Sequence, residues 1–151
     1  MQLLEGREQR PGAQALEVGD LHRVAEAYLL AGRLTDAVKV AGRALALARE
    51  HKERGNEAWT LRLHGQIAAH ADPPDAEQAA SYYRQALALA EELGMRPLVA
   101  HCHLGLGTLY SRSGRDEQAQ VELSTAAEMY RSMEMPFWLE KVEAALARVA
   151  G

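Results

Sequence analysis

Apolar residues recur at helical spacing along almost the whole chain. Leu21, Val24, Ala25 and Tyr28 fall at i, i+3, i+4 and i+7, one face of a helix. The pattern around them runs from about 13 to 31, and Gly19 weakens it enough to make Asp20 an alternative N-cap. Gly32-Arg33 turns the chain. A second helix, to about residue 52, carries Ala37, Ala41, Ala44, Leu45 and Ala48 on its inner face. Gly55-Asn56 reads as the next break. A third helix over about 57 to 71 points Leu61, Gly65 and Ala68 inward. Asp72-Pro73-Pro74-Asp75 is a loop, because prolines lack the donor a helix needs, and Asp75 can cap the helix over about 76 to 93, which ends at Gly94. Pro97 sits in the first turn of a fifth helix, where its missing N–H costs nothing. That helix ends near Ser113-Gly114. Asp116 opens a sixth with Ala119, Leu123, Ala126 and Tyr130, and Pro136 opens a seventh over about 137 to 150. Residues 1–12, broken by Gly6 and Pro11-Gly12, form a ragged lead-in.

These helices repeat. Ala37, Ala79 and Ala119 are separated by 42 and 40 residues, and Ala44, Ala86 and Ala126 by the same 42 and 40. Ala25, Gly65 and Gly107 are separated by 40 and 42. Three series in register define a helix-turn-helix unit used three times, over about 13–54, 55–95 and 96–135, with a closing helix over 136–150. Residues 13–151 therefore form one all-α repeat domain. Small residues such as Gly107 and Ala126 stand at the seam between the two helices of the third unit.

Composition narrows the class. Hydrophobic residues make up 48% of the chain, enough for a core, while aromatics are only 5%, so the core is built of small residues on closely packed helices. Val, Ile and Thr never alternate with period two, which argues against strands. The formal net charge is -4, from 17 basic and 21 acidic side chains; that excludes nucleic acid as the main partner, since phosphate binding needs a basic face. No apolar run is long enough to span a bilayer. Residues 1 to 6 lack the basic start of a signal peptide. One cysteine, Cys102, rules out an internal disulfide and points to a reducing cytoplasm.

The run Leu106-Gly107-x-x-Tyr110, Gly114, Ala119, Ala126 resembles the tetratricopeptide repeat. Val24-Ala25-x-x-Tyr28, Gly32, Ala37, Ala44 resembles it as well. The second unit departs most: His64 stands where Leu is expected, Ala68 replaces Tyr, and the Pro-Pro loop is inserted. The resemblance implies a right-handed α-solenoid whose first helices line a concave face. It also implies a non-catalytic module that binds a protein or peptide there. Residues 86–107 and the stretch from Glu134 to Glu140 are similar to the C-terminal repeat region of bacterial class III adenylate or guanylate cyclase–ATPase signalling proteins. That similarity implies a signalling context and leaves open a second reading, an effector-sensing tail that binds a small molecule. No Gly-x-x-x-x-Gly-Lys phosphate loop occurs.

The concave positions of the family, carried over from Gly65 and Gly107, are Trp59, Arg62, Gln66, Ala69 and His70, then His101, Leu104, Thr108, Ser111 and Arg112. From Ala25 they are Gly19, His22, Glu26, Leu29 and Leu30. The partner-binding set is taken as Trp59, Arg62, Gln66, His70, His101, Leu104, Thr108 and Arg112. Its two arginines and two histidines suit an acidic or mixed-charge segment. The asparagines of the repeats that clamp C-terminal carboxylates are absent from these positions. His101-Cys102-His103 does not make a metal site, because neighbours on a helix point about 100° apart and cannot converge on one ion. No basic residue is placed to activate Cys102. Asp75, Glu77, Asp116 and Glu117 sit in first turns, where they favour the helix dipole. No catalytic site and no cofactor is expected. The N-terminal end, offering Leu16, Val18, Leu29 and Leu30, is expected to support weak self-association through residues 1 to 31.

Overall fold

The computed structural model describes residues 17–150. The lead-in and the start of the first predicted helix lie outside the described residues. Seven helices follow: α1 (Val18–Leu30), α2 (Leu34–Glu50), α3 (Arg54–Ala69), α4 (Ala76–Leu93), α5 (Arg96–Arg112), α6 (Asp116–Ser132) and α7 (Pro136–Ala150). The N-cap of α1 is Glu17, not Asp20. Asp20 instead sits in the first turn, where its carboxylate accepts from the Glu17 N–H at 3.4 Å. It suits that place as well as a cap, because an acid there faces the unpaired amides of the helix start.

Five of the connections are the same turn. The residue after the turning position donates its N–H to the carbonyl five residues back: Arg33 to Tyr28, Glu53 to Ala48, Met95 to Ala90, Arg115 to Tyr110 and Met135 to Tyr130. This bond closes a helix end when one residue goes left-handed. Gly32, Gly94 and Gly114 do so freely, with φ of 77°, 71° and 75°. The other two turning residues are Lys52 and Glu134, at φ 57° and 54°. The expected break at Gly55-Asn56 is therefore displaced. The turn is made by Lys52, and both Gly55 and Asn56 lie inside α3. A left-handed L-residue costs about 1–2 kcal/mol, and glycine gives back about 0.5–1 kcal/mol in chain entropy. Lys52→Gly and Glu134→Gly should each raise stability by about 0.5–1 kcal/mol. A lower urea midpoint in the double variant would contradict the turn geometry.

The helices stack as hairpins, α1 on α2, α3 on α4 and α5 on α6, and each second helix packs on the first helix of the next unit. The first helices also touch in sequence, α1 to α3, α3 to α5 and α5 to α7, while α2, α4 and α6 do not touch one another. The side on which helices crowd is the inside of a curve, so α1, α3, α5 and α7 form the concave wall.

Small residues permit the crowding. Ala25, Ala37, Ala44, Ala79, Ala119 and Ala126 are completely buried. Tyr83 of α4 wedges its ring between α3 and α5, where both neighbours are glycine. A Cβ at Gly65 would stand 3.0 Å from that ring and one at Gly105 only 2.5 Å. Gly107 faces Leu123 within its own hairpin, at 2.6 Å for an added Cβ. Leu123, rather than Ala126, is thus the side chain that fills the third seam.

Candidate binding groove

The concave wall holds a cavity of about 450 Å³. Arg62, Gln66, Ala69 and His70 line it from α3 and its C-cap, Tyr83 from α4, and His101, Leu104, Thr108 and Arg112 from α5. Seven of the eight residues expected in the groove therefore share one cavity. Trp59 stands behind it, with the Arg62 guanidinium 5.9 Å from its ring and His101 6.0 Å away. The closing helix contributes five more: Trp138, Lys141, Ala144, Ala145 and Arg148 of α7 also line the space. From the sequence, α7 is expected only as a closing helix.

The lining is charged with one sign. Arg62, Arg112, Lys141 and Arg148 face the cavity and no carboxylate does. None of the four takes part in an ion pair among the described residues. In a chain of net charge -4, four cations without an ion-pair partner on one concave surface, with Arg112, Lys141 and Arg148 exposed, make a local anion-attracting field.

Arg62 is its centre. Its Nε is buried and has no hydrogen-bond partner. Its positive charge reaches residues on several helices, lowering the proton affinity of His22, Tyr83, His101, Cys102 and Tyr130. For each of these, burial is the larger cause: it lowers the histidines and raises the phenols and the thiol. Cys102 is thereby pushed up to about 12, which keeps it a protonated thiol and a poor nucleophile.

His101 is less a free contact than a support for the wall. It is 7% exposed, and its Nδ1 and the Tyr130 hydroxyl are hydrogen-bonded at 2.6 Å. The Trp138 ring lies 4.4 Å from it, which ties α7 to α5 and α6. His103 turns the other way and shares a 2.6 Å contact with Glu122 of α6. The two histidines thus diverge as helical geometry requires. Among the described residues no group of three His, Cys, Asp or Glu could hold a metal ion.

Burial and Arg62 lower the His101 pKa from 6.5 to about 4. His22 and His64 are lowered too, mainly by burial. The sign follows directly. Above pH 6.5 these rings are neutral in both the folded and the unfolded chain. Below it the unfolded chain takes up protons that the folded one refuses, so stability falls between about pH 6.5 and pH 4 and then levels off. His101 alone should account for a loss on the order of 2–3 kcal/mol. Urea midpoints at pH 7 and pH 4.5 should differ by clearly less in His101→Gln than in the parent chain. Equal differences would contradict the burial argument.

Residues 75–132 match the tetratricopeptide repeat family. The matched stretch runs from the N-cap of α4 to the last residue of α6. No curated protein matches the chain. Among solved structures, the crystal structure of the apo form of RapI superposes with a TM-score of 0.85 at 19% sequence identity, over 98% of this chain and 53% of that one. The chain thus spans about half the length of that structure, and at this identity the likeness is one of fold. No helix of the described residues is long and apolar enough to cross a membrane. The chain is an all-α, tetratricopeptide-like solenoid in which residues 75–132 are similar to the tetratricopeptide repeat.

Proposed function

We propose that this chain is a non-catalytic protein-interaction module that holds an acidic or mixed-charge peptide segment, or such a segment of a partner domain, in the groove between α3, α5 and α7. The observation that carries the reading is the set of four cations, Arg62, Arg112, Lys141 and Arg148, which line one cavity without a carboxylate. Of the four, Arg62 is the partly buried one, with an Nε that has no hydrogen-bond partner, and same-sign charges gathered on one concave surface raise the local concentration of an anionic ligand. The repeat match over residues 75–132 supports the same reading, because stacked repeats present such concave surfaces for binding. A cytoplasmic signalling or regulatory protein, of the cyclase–ATPase kind that residues 86–107 resemble, is the context proposed. Weak self-association through the first 31 residues is part of the proposal; of the side chains it names, Leu30 is 85% exposed, Leu29 is half-buried and Val18 is buried, and Leu16 lies outside the described residues.

Peptides of 12 residues selected from a display library on the full chain should be rich in Asp and Glu and should compete for one site. Arg62→Gln with Arg112→Glu should weaken them at least tenfold. Arg112 is exposed, so its reversal should change stability by only about 0–1 kcal/mol. Undiminished binding to the double variant sinks the proposal. The cavity volume of about 450 Å³ also suits a small effector, which is the second reading. Melting-temperature shifts with small polyanions, absent with the selected peptides, would favour it.

A further inference from the structure

The groove is graded along its length. The same register that relates Ala25, Gly65 and Gly107 extends to α7, because α5 and α7 begin 40 residues apart, at Arg96 and Pro136. One residue after each seam position stand Glu26, Gln66, Thr108 and Arg148. Five after it stand Leu30, His70 and Arg112, and six before it Gly19, Trp59, His101 and Lys141. Gln66, Thr108, Arg148, His70, Arg112, His101 and Lys141 all line the cavity, so the rows are real rows of the concave wall. Along each of the three, the α1 end is acidic or uncharged and the far end is cationic, on α7 at Arg148 and Lys141 and on α5 at Arg112. Two rows do not follow the gradient: His22, Arg62, Leu104 and Ala144 carries its charge on Arg62 near the middle and ends on an uncharged residue, and Leu29, Ala69 and Ser111 carries no charge.

The α1 end has its own character. Leu30 is 85% exposed, more than any other large apolar side chain among the described residues. Its counterparts His70 and Arg112 border the cavity, which puts Leu30 on the same rim. Glu26 is exposed beside it.

Resting on the binding role proposed above, we infer that the groove reads the polarity of its ligand. The ligand is a charge-asymmetric peptide segment whose side-chain carboxylates seat between α5 and α7, against Arg112, Lys141 and Arg148. Its other end is apolar, or carries a base opposite Glu26, and lies along Leu30. The wall crosses three interhelical steps of about 8–10 Å each, on the order of 25–30 Å, which about nine extended residues cover. A segment laid the other way would set its acids beside Glu26 and leave the three cations unmatched, so orientation follows from charge alone.

The test uses two 12-residue peptides of one composition, acetylated and amidated so that no terminal charge contributes. One gathers four Glu at one end and three Leu with one Lys at the other; its companion alternates the same residues. The segregated peptide should bind the full chain at least tenfold more tightly. A nitroxide on its acidic end should broaden backbone amides of residues 140–148, and one on its apolar end those of residues 26–30. Lys141→Glu with Arg148→Glu should remove the preference. Equal affinities, broadening of the same amides from both ends, or no binding by either peptide overturns the inference. Failure here is distinguishable from failure of the binding role: library-selected peptides that still depend on Arg62 and Arg112 would leave that role standing while the gradient falls.

Discussion

Tyr130→Ala should destabilise the chain by about 3–5 kcal/mol, the usual cost of emptying a buried aromatic site. Tyr130 is fully buried among Ala100, Leu123, Ala126, Val142 and Ala145. It is where α5, α6 and α7 meet. Its ring stacks on Trp138 at 6.0 Å, and its hydroxyl is bonded to His101. Truncation opens a cavity between three helices whose ends are fixed by two tight turns, which limits how far they can close on it. It also leaves His101 Nδ1 buried without a partner, which costs about 1–3 kcal/mol more. Tyr130→Phe isolates that second part, since the ring stays and only the hydroxyl goes. Denaturation followed by circular dichroism measures both, and a shift below about 1 kcal/mol for Tyr130→Ala would contradict the packing described. Because Tyr130 anchors Trp138, the alanine variant should also loosen α7 and with it Lys141 and Arg148.

Gly107→Leu is expected to cost about 3 kcal/mol or more, at or beyond the upper end for overpacking. The first added carbon already meets Leu123 at 2.6 Å, and the backbone nitrogen of Leu123 stands at 3.2 Å. A side chain can swing aside, but a helix backbone cannot without separating α5 from α6. Gly42→Ala is the matched control: nothing lies within 4 Å of its added Cβ, so the substitution should gain about 0.5–1 kcal/mol in helix stability. Natural domains are stable by only about 5–15 kcal/mol, so both losses would be conspicuous. If the two glycine substitutions shifted the midpoint alike, the seam assignment would be wrong.

Most of the architecture was legible in the sequence, for reasons particular to certain residues. Ala37, Ala79 and Ala119 lie at seams where nothing larger fits, so a close-packed repeat writes itself as a periodicity. Gly32, Gly94 and Gly114 announce turns because a left-handed residue favours glycine. Lys52 made the same turn without the signal, and the neighbouring Gly55 drew the boundary to the wrong side. Gly105 was unexplained by the repeat pattern, which uses Gly107. Its reason is Tyr83, 22 residues earlier in the chain, and no local pattern reports such a contact.

The groove was legible only in part. Arg62, Gln66, Leu104, Thr108 and Arg112 were placed by register and do line one cavity. Lys141 and Arg148 were overlooked because α7, lacking a second helix, was taken as a lid on the stack. The signal that finds them is the 40-residue step from Met95 to Met135, which makes α7 equivalent to a first helix. His101 shows the converse. It stands at a concave position, but its ring is held by Tyr130 and Trp138, and sequence alone carries no sign of that.

The central claim is that ligand contact falls on the concave wall. Amide and indole chemical shifts of the full chain, recorded during titration with the library-selected acidic peptides, test it most directly. The account predicts changes concentrated at Arg62, Gln66, Leu104, Thr108, Arg112, Lys141 and Arg148 and at the Trp138 indole. Changes concentrated instead at Val121, Thr125 and Glu128 on the outer face of α6 would contradict it.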